Sequence, residues 1–561
     1  MTRYIPFPFF HDDMPIDISS AFGQERPAGK HGFMQVRGDR FVFEDGTPAR
    51  FWGVNFNGGA CFPSHEYARQ VAVRLRKTGV NLVRFHQLDA EWNTPNIFQF
   101  CKGPRLKSTR ILDEQSLERL DYLVFCLKQE GIYCYLDMLT DSGVNAMTNE
   151  QLGAMMIGDD AYAGSVTYRR LSEKIKEIFN KDYFLPVHQG RACEHMLALA
   201  YVKPGSIVPM NFQFGTSIGK IKYCGGDYVI CLQEEGFDKQ SENPFKGDFD
   251  LDKLERILIS EHDRIAFVRI EAGTNLIGGQ PIALDNMLAA AELCRKHGIR
   301  SVLDASLLQD NLYFIKTREE AYKDMSIRQI VRILSDAMDI IYFSARKLGF
   351  GRGGAIILND EEQFEYIKTF VSSFEGFPTF GGMSVKEMEA IRVGLDDTMD
   401  EDIISQGPEF IRYLCEQLED AGIPVVTPAG GLGCHLDAMK FVPHIPRNQY
   451  PAGALQAAVY IASGARGMER GAIDEPWDDP EVEPYGAMEL VRLAVPRRVY
   501  TISQMNYLID RICWLYDNRE LIGGLKFETE GPHQFYDALI SIGDWPEKLA
   551  AKFREDFGES L

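Results

Sequence analysis

The stretch "DIIYFSARKLGFGRGG", residues 339–354, decides the fold class. Ile340, Ile341, Tyr342 and Phe343 form a short continuous apolar run, as in a strand covered on both faces, and the glycines that follow mark a turn. Lys347 therefore sits just past a buried strand. Upstream, "IRSVLDAS" (299–306) closes another such run on Asp304. Helical periods alternate with these runs, which predicts a parallel α/β sheet with the amine and the carboxylate at the same ends of neighbouring strands.

An amine and a carboxylate so placed suit pyridoxal phosphate. Lys347 would condense with its aldehyde, and Asp304 would keep the ring nitrogen protonated so that the ring accepts electrons. Further outward, "YFLPVHQGRACEHMLALAYVKPG" (183–205) reads as strand, tight turn and helix. The amides of Gly190 and Arg191, with the side chains of Gln189 and Arg191, would face an anion at the helix N-terminus, and a phosphate is its natural occupant. Ser344 adds a hydroxyl donor, and Phe214 in "NFQFGTS" (211–217) could stack on a flat ring.

The whole chain has 561 residues, 45% hydrophobic and 25% charged, which is ordinary globular composition with room for two to four domains. A formal charge of −21 argues against nucleic acid or an anionic membrane as partner. The eleven cysteines are scattered and never spaced CxxC, which fits reduced thiols in a cytoplasmic protein. The opening "MTRYIPFPFFHDDMPID" offers neither a signal-peptide core nor a membrane span.

Residues 1–35 read as an irregular lead-in. "RFVFEDGTPARFWGVNF" (40–56) alternates like a hairpin turning at Asp45-Gly46 and continues as a strand. "SHEYARQVAVRLRKTGV" (64–80) has helical spacing behind a Ser64 N-cap, and the strand "NLVRFHQLD" follows. A second helix, "DEQSLERLDYLVFCLKQEG" (113–131), leads into the strand "IYCYLDML". Residues 139–404 alternate strands and helices as a large cofactor domain. Residues 405–528, with short strands such as "IPVVTPA" and "LVRLAVP", form a smaller α/β domain, and 529–561 read as a polar tail.

Two resemblances follow. "FEDGTPARFWGVNF", "TGVNLVRFHQLDAEW" and "LERLDYLVFCLKQEGIYCYLDML" make residues 36–138 similar to the opening strands of a cellulase-like (β/α) barrel of glycoside hydrolases. Only about three of the eight barrel strands are present, and the strands that would carry paired catalytic carboxylates are missing. His86, Asp89 and Glu91 either line a remnant sugar cleft or serve as strand-end polar groups.

The second covers residues 132–528. "YLDMLTDSGVNAMT", "GDDAYAGS", "PVHQGRACE", "GTNLIGGQP", "LDAS", "NLYFIKTRE", "SARK", "EGFPTFGG", "GARGMERG" and "VRLAVPRRVYT" occur in that order and resemble the β-eliminating lyases, a family that includes tyrosine phenol-lyase and tryptophanase. The resemblance implies the type I fold of pyridoxal phosphate enzymes, a large and a small α/β domain, here preceded by the partial barrel-like segment. It also implies a homotetramer acting on an amino-acid substrate, and β-elimination to pyruvate, ammonia and a leaving group. Position by position, Lys347 bears the cofactor and Asp304 meets its ring nitrogen. Gln189, Gly190, Arg191 and Ser344 hold the phosphate, Phe214 stacks on the ring, and Asn275 reaches the phenolic oxygen. Arg492 clamps the substrate carboxylate with Thr140 and Ser142, Tyr162 is the general acid on the leaving group, and Arg470 matches an arginine typical of tyrosine phenol-lyase. A cysteine desulfhydrase-like reaction and a non-catalytic homologue are the alternatives.

The departures from the family pattern gather on the substrate side. Leu307 stands where the family has arginine, Gly215 where it has threonine, and Leu432 where it has histidine, with His435 three residues on. The resemblance also implies a K+ site, to which Gly143 and Asp160 could contribute oxygens. The loop "KLGFGRGG" is one residue shorter, and Arg352 could supply positive charge in place of potassium.

Overall fold

The computed structural model describes residues 17–19, 26–32, 34–37, 40–86, 88, 94–98, 112–136, 147–472, 488–528 and 538–558. Asp89, Glu91, Thr140, Ser142 and Gly143 therefore lie outside the described residues. The chain divides into two compact units, 1–140 and 141–561.

In the first unit, β1 (Met34–Arg37) and β2 (Arg40–Phe43) pair antiparallel. The turn at Asp45-Gly46 forms as expected, with Gly46 at φ 85° and the Thr47 amide donating to Asp45 Oδ1 at 2.9 Å. Beyond it, β2 meets the returning chain in a single bridge, Val42 to Pro48, and its full ladder is with β1 instead. Pro48 has no N–H to extend the pairing. Three parallel strands, β3 (Gly53–Asn57), β4 (Leu82–His86) and β5 (Tyr133–Leu136), follow in that sheet order. Helices His65–Lys77 and Glu114–Gln129 connect them, and the Ser64 hydroxyl caps the first by accepting from the Tyr67 amide at 3.3 Å. Ala68 and Ala72 of that helix pack with Leu123 and Leu127 over Val83 and Phe85 as one apolar core.

The second unit is built on a seven-stranded sheet in the order β6-β12-β11-β10-β9-β7-β8. Its strands are β6 (Tyr183–Val187), β7 (Ile207–Met210), β8 (Asp227–Ile230), β9 (Val268–Glu271), β10 (Ser301–Asp304), β11 (Ile340–Ser344) and β12 (Gly354–Leu358). β12 runs antiparallel to both its neighbours, and every other pairing is parallel. Helices cover both faces, so the strands are apolar almost throughout. Leu303 and Ile341 face one core while Val302 and Ile340 face the other, as period-two alternation requires. Each such buried side chain contributes roughly 1.5–3 kcal/mol. The parallel register brings the C-terminal ends of β9, β10 and β11 to one edge.

A smaller domain follows, with an antiparallel sheet in the order β13-β15-β14: β13 (Gly433–Asp437), β14 (Met468–Arg470) and β15 (Leu490–Ala494). Helices Gln406–Asp420, Pro451–Ser463 and Ile502–Asp517 pack against it. The expected strand "IPVVTPA" makes only a Val425–Leu436 bridge, its two prolines lacking ladder donors. Residues beyond 528 are not a separate tail where they are described. β16 (Leu525–Phe527) pairs with β17 (Leu539–Ser541), and the helix Trp545–Phe557 inserts Trp545 and Leu549 into the small-domain core. Apolar residues at 545, 549 and 553 carry the helical stripe that the surrounding charges obscure.

Candidate active site

Asp304 ends β10 and lies in register between Glu271 of β9 and Tyr342 of β11. β11 ends at Ser344, where the Lys347 and Leu348 amides both return to the Ser344 carbonyl at 3.1 Å, so the chain turns at once and carries Lys347 over the sheet edge. Lys347 Nζ stands 6.0 Å from the centre of the Phe214 ring, at the start of the helix Gly215–Tyr223. Burial pulls the proton affinity of Lys347 below the ordinary lysine value, and Arg492 pulls the same way, against Asp304, Glu271 and Glu194. Such an amine is more readily neutral, as a nucleophile or base requires.

Asp304 is 5% exposed. Burial alone would raise its pKa, but Arg269, the Ser306 amide and Lys347 outweigh that and hold the carboxyl below the usual range. Its Oδ2 accepts from Arg269 Nη2 at 2.6 Å and from the Tyr342 hydroxyl at 2.9 Å, and its Oδ1 accepts from the Ser306 amide at 3.0 Å. Arg269 and Glu271 are absent from the sequence-based expectations, and Tyr342 enters them only as strand core. The signal was "VRIE" (268–271), two charged residues spaced by two, and hence on one face, inside a strand otherwise reading as core.

The helix Gly190–Tyr201 starts against this edge. A side chain at Gly190 would place its Cβ 2.7 Å from Ser344 Cβ and 3.0 Å from Ser344 Cα, so only glycine allows helix start and strand end to meet. Gln189, the N-cap residue, makes no side-chain capping bond; the Ala192 amide returns to the Gln189 carbonyl at 3.0 Å, and the Gly190 and Arg191 amides stand at the helix start, where an anion finds its donors. Gln189 and Ser344 are half-buried and Arg191 is exposed.

On the other side stands the small-domain sheet. Arg492 of β15 lies in register between His435 of β13 and Met468 of β14. Its Nη1 donates to Asn275 Oδ1 at 2.7 Å, and both Arg492 and Arg470 lie against Met468 Sδ, at 2.9 and 3.3 Å. His435 is buried, donates through Nδ1 to the Gly433 carbonyl at 3.0 Å, and has no hydrogen-bond partner on Nε2 among the described residues. Burial first, then Arg492 and Arg470, push its pKa down to about 3, so it stays neutral.

The expected residues divide accordingly. Lys347, Asp304 and Phe214 come together, Gly190 and Ser344 touch beside them, and Asn275 joins Arg492. Tyr162 is 67% exposed and stacks edge-on against Phe377 and Phe380 at 5.7 and 5.8 Å, while its carbonyl accepts from Thr379. Asp160 is exposed. Arg352 is exposed too, its amide donating to Glu387 at 3.2 Å. Leu307 is buried, Gly215 faces open space, and Leu432 sits at φ 68° with its amide on Asp310 Oδ2 at 2.9 Å. Among the described residues no cluster of three or more His, Cys, Asp or Glu could hold a metal ion.

The donor set fits pyridoxal phosphate: an uncapped helix start for the phosphate, a buried ionised carboxylate for the ring nitrogen, an aromatic face, and an amine for the aldehyde. The sequence model of the beta-eliminating lyase family matches residues 137–511. Tyrosine phenol-lyase of Symbiobacterium thermophilum is 39% identical over 444 residues, 79% of this chain and 96% of that protein. The tyrosine phenol-lyases of Clostridium tetani and Fusobacterium nucleatum are 39% and 40% identical, over 77% and 76% of this chain and 94% of each of theirs. The family match leaves out nearly all of the first unit, and nothing in these similarities supports the likeness of residues 36–138 to a glycoside hydrolase barrel. With its seven-stranded sheet, its smaller C-terminal domain and a lysine poised at the edge between them, the chain belongs to the β-eliminating lyase family, pyridoxal phosphate enzymes of the type I fold.

Proposed function

We propose that the protein eliminates the β-substituent of an aromatic L-amino acid, tyrosine ahead of tryptophan, yielding pyruvate, ammonia and the aromatic leaving group. The observation that carries the substrate preference is Arg470, buried on β14 beside Met468, which also contacts Arg492. It gives the pocket a second fixed guanidinium in addition to the one that binds the substrate carboxylate. The relatives named tyrosine phenol-lyase support the same reading.

In this reading Gln189, Gly190, Arg191 and Ser344 hold the phosphate, Phe214 covers the ring face, and Asp304 and Asn275 take its nitrogen and phenolic oxygen. When bound, pyridoxal phosphate supplies an electron sink for the substrate α-carbon. Arg492, oriented by Asn275, clamps the substrate carboxylate as a two-pronged fork. Lys347 would take the substrate α-proton, for which its depressed proton affinity suits it. Tyr162 gives a proton to the departing ring carbon. The protein acts as a homo-oligomer, which sedimentation of the purified protein tests.

The deciding experiment is pyruvate release across a panel of amino acids. Tyrosine should turn over fastest, and Lys347→Ala should abolish both turnover and the visible absorption of the bound cofactor. A second reading, cysteine desulfhydration, is favoured by the exposure of Tyr162 and by the apolar Leu307 where the family has a charge. A thiolate leaves without a proton donor, whereas a ring carbon does not. Faster pyruvate release from cysteine than from tyrosine would select it.

A further inference from the structure

Beneath the cofactor site lies a charged group that packing alone does not call for. Arg269 is 2% exposed in the middle of the sheet, where β9 lies between β10 and β7. Its guanidinium meets Asp304 Oδ2 at 2.6 Å, Glu271 Oε2 at 3.0 Å and the Tyr342 hydroxyl oxygen at 3.0 Å. Glu271, also buried, accepts the Asn275 amide on its other oxygen at 3.3 Å, and Asn275 Oδ1 accepts from Arg492. An unbroken chain of polar contacts thus runs from Asp304 through Arg269, Glu271 and Asn275 to Arg492. Apolar residues of similar volume would stabilise such a strand as well or better, so the burial of three charges points to a task of placement and charge.

We propose that Arg269 and Glu271 are positioning residues: one buried guanidinium-carboxylate pair fixes Asp304 for the ring nitrogen and Asn275 for the phenolic oxygen. The proposal rests on the pyridoxal phosphate reading. Its electrostatic content is a balance. Asp304 and Glu271 against Arg269 leave one excess negative charge, which matches a ring nitrogen carrying a proton. With Glu271 neutral, Arg269 would draw on Asp304 alone and the ring proton would lose its counter-charge. Burial, with Asp304 adding and Arg269 opposing, raises Glu271 to about 7, so the balance shifts near neutrality. Among the described residues, the other charged or titratable groups around this cluster are Tyr342 of β11, Cys193 and Glu194 of the helix Gly190–Tyr201, Lys347 and Arg492.

The test uses apoenzyme titrated with pyridoxal phosphate and with its analogue carrying C–H in place of the ring nitrogen. The ratio of the two dissociation constants reads the Asp304–nitrogen interaction without any turnover. Glu271→Gln keeps the acceptor for Asn275 and removes the charge, and should lower the wild-type preference for the nitrogen ring by about tenfold, one pKa unit's worth. Arg269→Lys keeps the charge but not the fork spanning three partners, and should shift the ratio the same way. In the wild type the preference should rise as pH passes through about 7. A merely structural role would weaken both ligands together and leave the ratio alone. A ratio within twofold of wild type in either folded variant, or a wild-type ratio flat with pH, overturns the proposal. Wild-type protein that binds no pyridoxal phosphate overturns the underlying reading instead.

Discussion

Gly190→Ala tests the site at its tightest point. The added methyl would lie 2.7 Å from Ser344 Cβ, 3.0 Å from Ser344 Cα and 3.1 Å from the Ser344 amide nitrogen. Carbon atoms settle at about 3.5–4.0 Å, so something must yield by nearly an ångström. The atoms in the way are mostly backbone of β11, which is hydrogen-bonded in register to β12 and leads three residues on to Lys347. They cannot swing aside as a flexible side chain would. Overpacking of this kind costs about 1–3 kcal/mol. The helix start and Ser344 are both phosphate donors in the proposed site, so their separation should appear as weakened cofactor binding, by about 5- to 150-fold at 1.36 kcal/mol per decade. Titration of apoenzyme with pyridoxal phosphate, followed by visible absorbance, measures it, with thermal unfolding as the control for the fold. Wild-type affinity in a normally folded Gly190→Ala protein would refute the cradle.

Two further outcomes are expected. Burial raises the Asp248 pKa to about 7, helped by Glu319 and opposed by the Ala283 amide, which donates to Asp248 Oδ1 at 2.7 Å. The native state therefore keeps a proton that the unfolded chain releases near 3.8, so this group's stabilisation is complete at low pH and is lost as pH rises through about 7. Asp248→Asn, which keeps the acceptor, should flatten the fall in Tm between about pH 5 and pH 8, and an unchanged slope would count against the assignment. With Arg352 in the loop before β12, exchanging K+ for Na+ should leave turnover nearly unchanged. A steep rise specific to K+ would show that the cation site persists.

Local pattern was enough for much of this. The apolar runs of β6, β10 and β11, their end-of-strand residues Asp304 and Lys347, and the strand-turn-helix at Gly190 are all legible because a doubly covered strand and a glycine turn leave one-dimensional signatures. The helix at Trp545 was not, since one narrow stripe among many charges resembles a solvated tail until a partner surface exists. The hairpin at Asp45-Gly46 forms but stays short for a related reason: the turn is local, but how far β2 pairs with the chain beyond Pro48 rather than with β1 depends on which backbone donors are available.

The same division runs through the site. Sequence by itself determined which residue types the chemistry has and in what order, and with them the family, because those motifs follow one another along the chain. Only tertiary structure decided what stands beside them. Strand order and parallel register, which no local pattern encodes, set Glu271 and Tyr342 on either side of Asp304, put Arg269 under it, and brought Asn275 of the large domain to Arg492 of the small one. A buried charge acquires its role from the charges it is packed against, and these come from segments far apart in the chain.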